Sequence, residues 1–209
     1  MQLKEKFREM EQCILSDARP SGQLRVFARE PWFRAFPFSM LLEEQKTEQS
    51  PVHHPEGNVW EHTLLVTDEA AGRKGYSTNP RVFMWAALLH DIGKPETTKV
   101  RKGRITAYQH DEEGKELART FLSALTDEPG FIDAVAWLVR YHMQILYVSR
   151  HLSFADIPGM KRHTDARDVA LLGYCDRLGR TGGDPAAERK AVVEFLQRCH
   201  ENTEFPWLI

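Results

Sequence analysis

Apolar residues recur at helical spacing through most of the chain. Leu3, Phe7, Met10 and Ile14 fall on one face and predict a first helix over residues 2–15. Pro20, Gly22, Pro31 and Pro37 predict turns and short helices over residues 16–37. Phe38 to Glu44 suits another short helix, and Pro51 to Gly57 reads as a loop. Asn58 is a good N-cap for a helix carrying Trp60, His62, Leu65 and Val66, closed by Gly72 and Gly75. Pro80 suits the first turn of the next helix. That helix is predicted to end at Asp91, because Gly93 suits a C-terminal cap and Pro95 cannot continue it. Thr97-Thr98-Lys99-Val100 and Arg104-Ile105-Thr106-Ala107-Tyr108 flank Lys102-Gly103 and predict a β-hairpin near residues 97–108. Helices follow at about 110–125, 130–143, 165–179 and 185–200, with Asp165 and Asp184 as starts. The expected fold class is all-α, with one small hairpin.

Polar residues interrupt this pattern in a telling way. Three apolar runs end in metal-type ligands. Val82 to Leu89 runs into His90-Asp91, Phe131 to Val139 leads to His142, and Val169 to Cys175 ends at Asp176. Ionisable groups at the ends of apolar runs are costly to bury unless a partner satisfies them. With His62 and His110, these ends fit a buried metal centre made by converging helices. A helix C-terminus carries partial negative charge, which favours a cation beside His90-Asp91. Imidazoles with carboxylates suit first-row divalent metals (Mn, Fe, Co, Ni or Zn) and not calcium, which prefers oxygen ligands.

Composition narrows the rest. At 209 residues and a net charge of -2, the chain is long enough for a sizeable core and gives no polyelectrolyte signal. Bulk nucleic-acid binding is therefore not expected. Cys13, Cys175 and Cys199 form no CxxC pair and read as reduced, mostly buried thiols. The charged start, Met1 to Lys6, does not resemble a signal peptide, and no apolar run approaches the roughly 20 residues that span a bilayer. A cytoplasmic protein with no membrane partner is expected. Trp32, Trp60, Trp85, Trp137 and Trp207 form no strip with basic residues and read as core. The apolar end, Phe205 to Ile209, suits packing on the domain or on a partner, and leaves the oligomeric state open.

Taken in order, His62, His90-Asp91 and Asp176 resemble the H…HD…D pattern of the HD superfamily of metal-dependent phosphohydrolases. The likeness extends further. His53-His54-Pro55-Glu56-Gly57-Asn58-Val59-Trp60-Glu61-His62-Thr63 closely matches the HD domain of bacterial tRNA CCA-adding nucleotidyltransferases. So do Leu88 to Pro95, Tyr108 to Gly114 and Cys175 to Arg180, and the resemblance covers about residues 36–182. Residues 1–35 are too short for a nucleotidyltransferase head, so a stand-alone HD protein without nucleotide-adding activity is expected. The implied layout is a single HD domain over 1–209. It comprises a helical extension (1–50), a metal-binding core (51–182) and a C-terminal helix and tail (183–209).

The resemblance implies His62, His90, Asp91 and Asp176 as core metal ligands. His110 and His142 match the extra histidines of two-metal members, in which Asp91 would bridge the ions, so one or two divalent transition metals are expected. Asp91 and Lys94 are the catalytic candidates, Lys94 by likeness to a lysine beside substrate phosphate. Lys94, His54, Arg177 and Arg180 are the substrate-binding candidates. His53 or His54 could donate a proton to a leaving oxygen. Glu61 would either orient an imidazole or face solvent, and Cys175 is at most a remote ligand candidate. Lys99, Arg101, Lys102 and Arg104 form either a solvated hairpin or a basic lip. The implied activity is hydrolysis of a phosphate ester by attack of metal-bound hydroxide. The expected partner is a small phosphorylated substrate, a nucleotide, a 2′,3′-cyclic phosphate or an RNA end. A di-iron oxygenase of the same superfamily and a non-catalytic nucleotide-binding module are the alternatives.

Overall fold

The computed structural model describes residues 2–101 and 103–208. The helices are α1 (Gln2–Ser16), α2 (Ser21–Phe27), α3 (Ser39–Glu44), α4 (Val59–Ala71), α5 (Pro80–Leu89) and α6 (Lys94–Thr97). After the hairpin come α7 (His110–Ser123), α8 (Pro129–Tyr141), α9 (Gln144–Ser149), α10 (Ile157–His163), α11 (Ala166–Leu178) and α12 (Pro185–Arg198). The strands β1 (Thr98–Arg101) and β2 (Arg104–Ala107) pair antiparallel. No helix among the described residues is long and apolar enough to cross a membrane.

α5 is the central element, with α1, α4, α8 and α11 packed around it. Every residue from Val82 to Leu89 is buried, so this helix needs no polar face. The N-terminal segment closes one side, where Phe7 stacks on Trp85 at 4.9 Å between ring centroids. Helix starts follow local chemistry. Asn58 accepts a hydrogen bond from the Glu61 N–H at 3.0 Å, and Asp165 and Asp184 cap α11 and α12 in the same manner. Pro80, Pro129 and Pro185 occupy first turns, where a missing N–H does no harm.

The HD turn differs from expectation. The helix stops at Leu89, and residues 90–93 form a turn into α6, which has Pro95 in its own first turn. Gly93 has φ −81°, so it is not a left-handed cap. It is there for space. A Cβ at Gly93 would lie 2.2 Å from the His110 carbonyl oxygen and 2.6 Å from the Gly114 nitrogen. Both are backbone atoms and cannot swing aside. Gly93→Ala is therefore expected to destabilise the protein by about 3 kcal/mol, the upper range for overpacking, as read from urea midpoints. An unchanged midpoint would show that α7 slides away at no cost.

Two elements had no counterpart in the sequence reading. α9 and α10 lie within residues 144–163, joined by the non-helical residues 150–156. The hairpin pairs Lys99 with Thr106 and Arg101 with Arg104, with Gly103 at φ +74° in its turn. Lys102 and Ile209 lie outside the described residues. Trp60, Trp85 and Trp207 are buried and Trp32 and Trp137 pack partly buried against the core, while all three cysteines are buried and free.

Candidate metal centre

Six predicted residues meet at one place. His62 comes from the first half of α4, His90 and Asp91 from the turn after α5, His110 from the start of α7, His142 from the end of α8 and Asp176 from α11. All six are buried. His90, His110 and His142 are held in the same way. Each donates its Nδ1–H to the carbonyl oxygen three residues earlier, Ala87 at 2.9 Å, Ala107 at 2.7 Å and Val139 at 2.6 Å. A carbonyl can only accept, so in the neutral form of each ring Nε2 carries a bare lone pair pointing inward. Gln109 makes this possible for His110: its left-handed φ of 62° turns the chain sharply between Ala107 and α7.

Asp91 lies between two pairs of histidines. Its Oδ2 is 3.3 Å from His90 Nε2 and 3.9 Å from His62 Nε2. Its Oδ1 is 3.5 Å from His110 Nε2 and 3.9 Å from His142 Nε2. Two groups of buried donors result, His62 with His90 and Asp91, and Asp91 with His110 and His142. The His110 and His142 Nε2 atoms are 3.3 Å apart, lone pair against lone pair. His62 Nε2 stands 2.9 Å from Asp176 Oδ1, and His90 Nε2 has no hydrogen-bond partner. Such converging acceptors fit a cation, and the donor set of imidazoles and carboxylates suits a divalent transition metal.

The charges agree. Burial pushes His110 and His142 down to about 4, with neighbouring histidines adding to the effect at His142. Both are neutral at pH 7, as ligands must be. Burial opposes the charge on Asp91, but Lys94 and His90 more than offset it and hold the carboxyl well below its ordinary range. At Asp176, Arg180 and His62 likewise overcome burial.

A cavity of about 420 Å³ opens above this floor, and His54, Lys94, Arg177 and Arg180 all line it. Lys94 Nζ is 2.6 Å from Asp91 Oδ2 and donates to Gln49 Oε1 at 2.6 Å. Arg180 reaches Asp176 Oδ2 at 3.0 Å, and Arg177 is paired with Glu188. His53 also lines the cavity. Burial pushes His54 down to about 4, so at pH 7 it is a neutral imidazole and not an acid with a proton to give.

Other open alternatives resolve in the fold. Glu61 does not orient an imidazole, because it forms an ion pair with Arg25 on the far side of α4's first turn. The carboxylate beside these rings is Glu56, whose Oε1 accepts from His54 Nδ1 at 2.9 Å and lies 3.0 Å from His62 Nδ1 without hydrogen-bond alignment. Its place in the loop six residues before His62 carries no periodic signal, so only the fold reveals it. The strand register puts Lys99, Arg101 and Arg104 on one face of the hairpin, and none of them lines the cavity, so they are a solvated surface there. Burial pushes the Cys175 thiol up to about 12, and it belongs to neither donor group. Glu44, fully buried beneath the site on α3, was also missed.

Residues 59–178 match the HD-domain family. The chain belongs to that family. HD domains form a superfamily of metal-dependent phosphohydrolases, which agrees with the donor set assembled here. Curated relatives point to one branch. The multifunctional CCA protein of Aromatoleum aromaticum is 33% identical over 151 residues, 69% of this chain and 35% of its own. The CC-adding tRNA nucleotidyltransferase of Thermus thermophilus is 33% identical over 160 residues, 76% of this chain and 34% of its own. The HD-family chain thus spans about a third of the length of these relatives.

Proposed function

We propose that this HD domain is a metal-dependent phosphohydrolase acting on a phosphate ester, with a nucleotide or 2′,3′-cyclic phosphate as the substrate class. The observation that carries this reading is the Asp91 carboxylate set between two pairs of histidine Nε2 atoms at the floor of an open cavity. His62, His90, Asp91 and Asp176 would hold one divalent ion, and Asp91, His110 and His142 a second. Such ions supply Lewis acidity, acidifying water and withdrawing charge from phosphoryl oxygens.

The remaining work falls to side chains. Lys94 keeps Asp91 ionised and offers its ammonium to a substrate phosphate from the same position. Arg180 orients Asp176 and adds positive charge at the cavity wall. Arg177, braced by Glu188, and neutral His54, braced by Glu56, would bind phosphoryl or sugar oxygens. Glu56, 3.0 Å from His62 Nδ1, would fix that ring once metal is bound, as outer-shell carboxylates do for metal-bound histidines.

The test is hydrolysis by metal-stripped protein resupplied with Mn, Fe, Co, Ni or Zn. The substrates are 2′,3′-cyclic nucleotides, nucleoside monophosphates and p-nitrophenyl phosphate esters. Release of phosphate or nucleotide only in the presence of metal is expected, under anaerobic as well as aerobic conditions. Turnover that requires iron and oxygen would replace this reading with an oxygenase, and binding without turnover under every metal would replace it with a binding module.

A further inference from the structure

We propose that Arg150 forms a second anion site in the cavity, so that the protein prefers phosphate esters bearing another phosphate at the far end of the ligand. The inference rests on the hydrolase reading for the first phosphate and adds the second. It starts from α9. Met143, Leu146 and Arg150 line the cavity at spacings of three and four residues, so they share one helical face. The opposite face is locked. Ile145 and Val148 are buried, and Ile145 packs so tightly on α11 that a Cβ at Gly173 would lie 2.5 Å from its Cδ1. Gln144, also buried, accepts a hydrogen bond from the Asp156 N–H at 2.8 Å. Arg150 therefore stands on a fixed support at the cavity rim.

Its charge is free. The other long cationic side chains lining the cavity are committed, Lys94 to Asp91, Arg180 to Asp176 and Arg177 to Glu188. Among the described residues, the Arg150 guanidinium has neither an ion-pair nor a hydrogen-bond partner, and the residue is exposed. Between the metal-type floor and this rim, Met143 and Leu146 face the cavity together with Ile105 and Ala107 of the hairpin. No phenylalanine, tyrosine or tryptophan lines it, so the aromatic surfaces open to a base are imidazoles alone, His53 and His54 among them. With few stacking surfaces and only small polar groups such as Ser50, Thr98 and Thr106 beside them, charge at the two ends of a ligand is the strongest source of affinity the cavity offers. Met143 adjoins His142, and seven residues of helix carry the chain about 10 Å from it to Arg150. With the reach of an arginine side chain, a single nucleoside with a phosphate on each side spans that gap.

The test compares a ribonucleoside 3′,5′-bisphosphate with the matching 3′-monophosphate, binding to manganese-loaded protein by calorimetry. The wild type should bind the bisphosphate about tenfold more tightly, an advantage that shrinks with added salt. Arg150→Gln should erase the advantage and leave monophosphate affinity unchanged, and Arg150→Lys should restore part of it. Equal affinities in the wild type, or a preference that survives in Arg150→Gln, would overturn the proposal. Turnover of p-nitrophenyl phosphate, which has no second phosphate, reports on the hydrolase reading separately. If that turnover fails while the bisphosphate preference holds, the activity falls and the anion site stands. If it succeeds without the preference, only the anion site falls.

Discussion

Asp91→Asn is expected to leave the protein without bound transition metal and to lower metal-dependent ester hydrolysis at least about a thousandfold, roughly 4 kcal/mol of transition-state stabilisation. The size follows from position. Asp91 contributes one oxygen to each of the two donor groups, so a single change weakens both. Losing even an outer-shell partner typically lowers metal affinity about 10–100-fold, and a shared ligand should matter more. The amide keeps the shape of the carboxylate but not its charge. Metal content after dialysis, measured beside kcat/KM, gives the answer. Two ions retained with wild-type turnover would remove Asp91 from the centre. The fold needs its own control, because Lys94 is buried and loses its ion partner at 2.6 Å. An orphaned buried charge costs about 3–5 kcal/mol. Metal-stripped Asp91→Asn should therefore be less stable than metal-stripped wild type, and adding Lys94→Met should recover stability without recovering metal.

The parts of this structure that could be read from sequence are those encoded by local pattern. Asn58, Asp165 and Asp184 signal their helices by a side chain that caps within the next three residues. The run into His90 signals a fully buried helix ending in ligands. The parts that could not be read depend on distant partners. α9 and α10 are short, and α10 carries Gly159, a weak helix former, in its first turn. Asp156 caps Gly159 locally, but one cap on a seven-residue helix is a weak signal, and the pair is held by packing, with Gln144 buried and accepting from the Asp156 N–H. The same holds around the site. Gln49 is 45 positions from Lys94, and Glu56 meets His54 and His62 only because the loop folds back over α4. From sequence, Gly93 suits a cap because glycine commonly serves there. Its actual reason, the approach of α7, requires knowing which helix passes by.

Glu44 leads to the second large effect. It is fully buried on α3, and neither of its oxygens finds a hydrogen-bond partner of good geometry. Burial pushes its carboxyl up to about 8, and the charge of Asp91 adds to this, against some relief from the neighbouring Thr63 hydroxyl. The folded state thus holds the proton long after the unfolded chain, at about 4.5, has released it. Such a raised pKa contributes stability that is fully present below about 4.5 and is lost as pH rises to about 8. Over that window the loss amounts to about 4–5 kcal/mol. The buried histidines pull the other way. His54, His110 and His142, held near 4, make stability rise between about 4 and their ordinary value of 6.5. The Glu44 contribution is therefore isolated by comparison with Glu44→Gln, which cannot ionise. In metal-stripped protein the two should be close in stability near pH 5, with the glutamine variant pulling ahead by several kcal/mol at pH 8 in urea unfolding. Parallel curves across that range would show that Glu44 finds a partner when charged. Cations held by Asp91 and His90, the charged neighbours that already act on Glu44, would favour its carboxylate, so reloading metal should shrink the gap between the two curves.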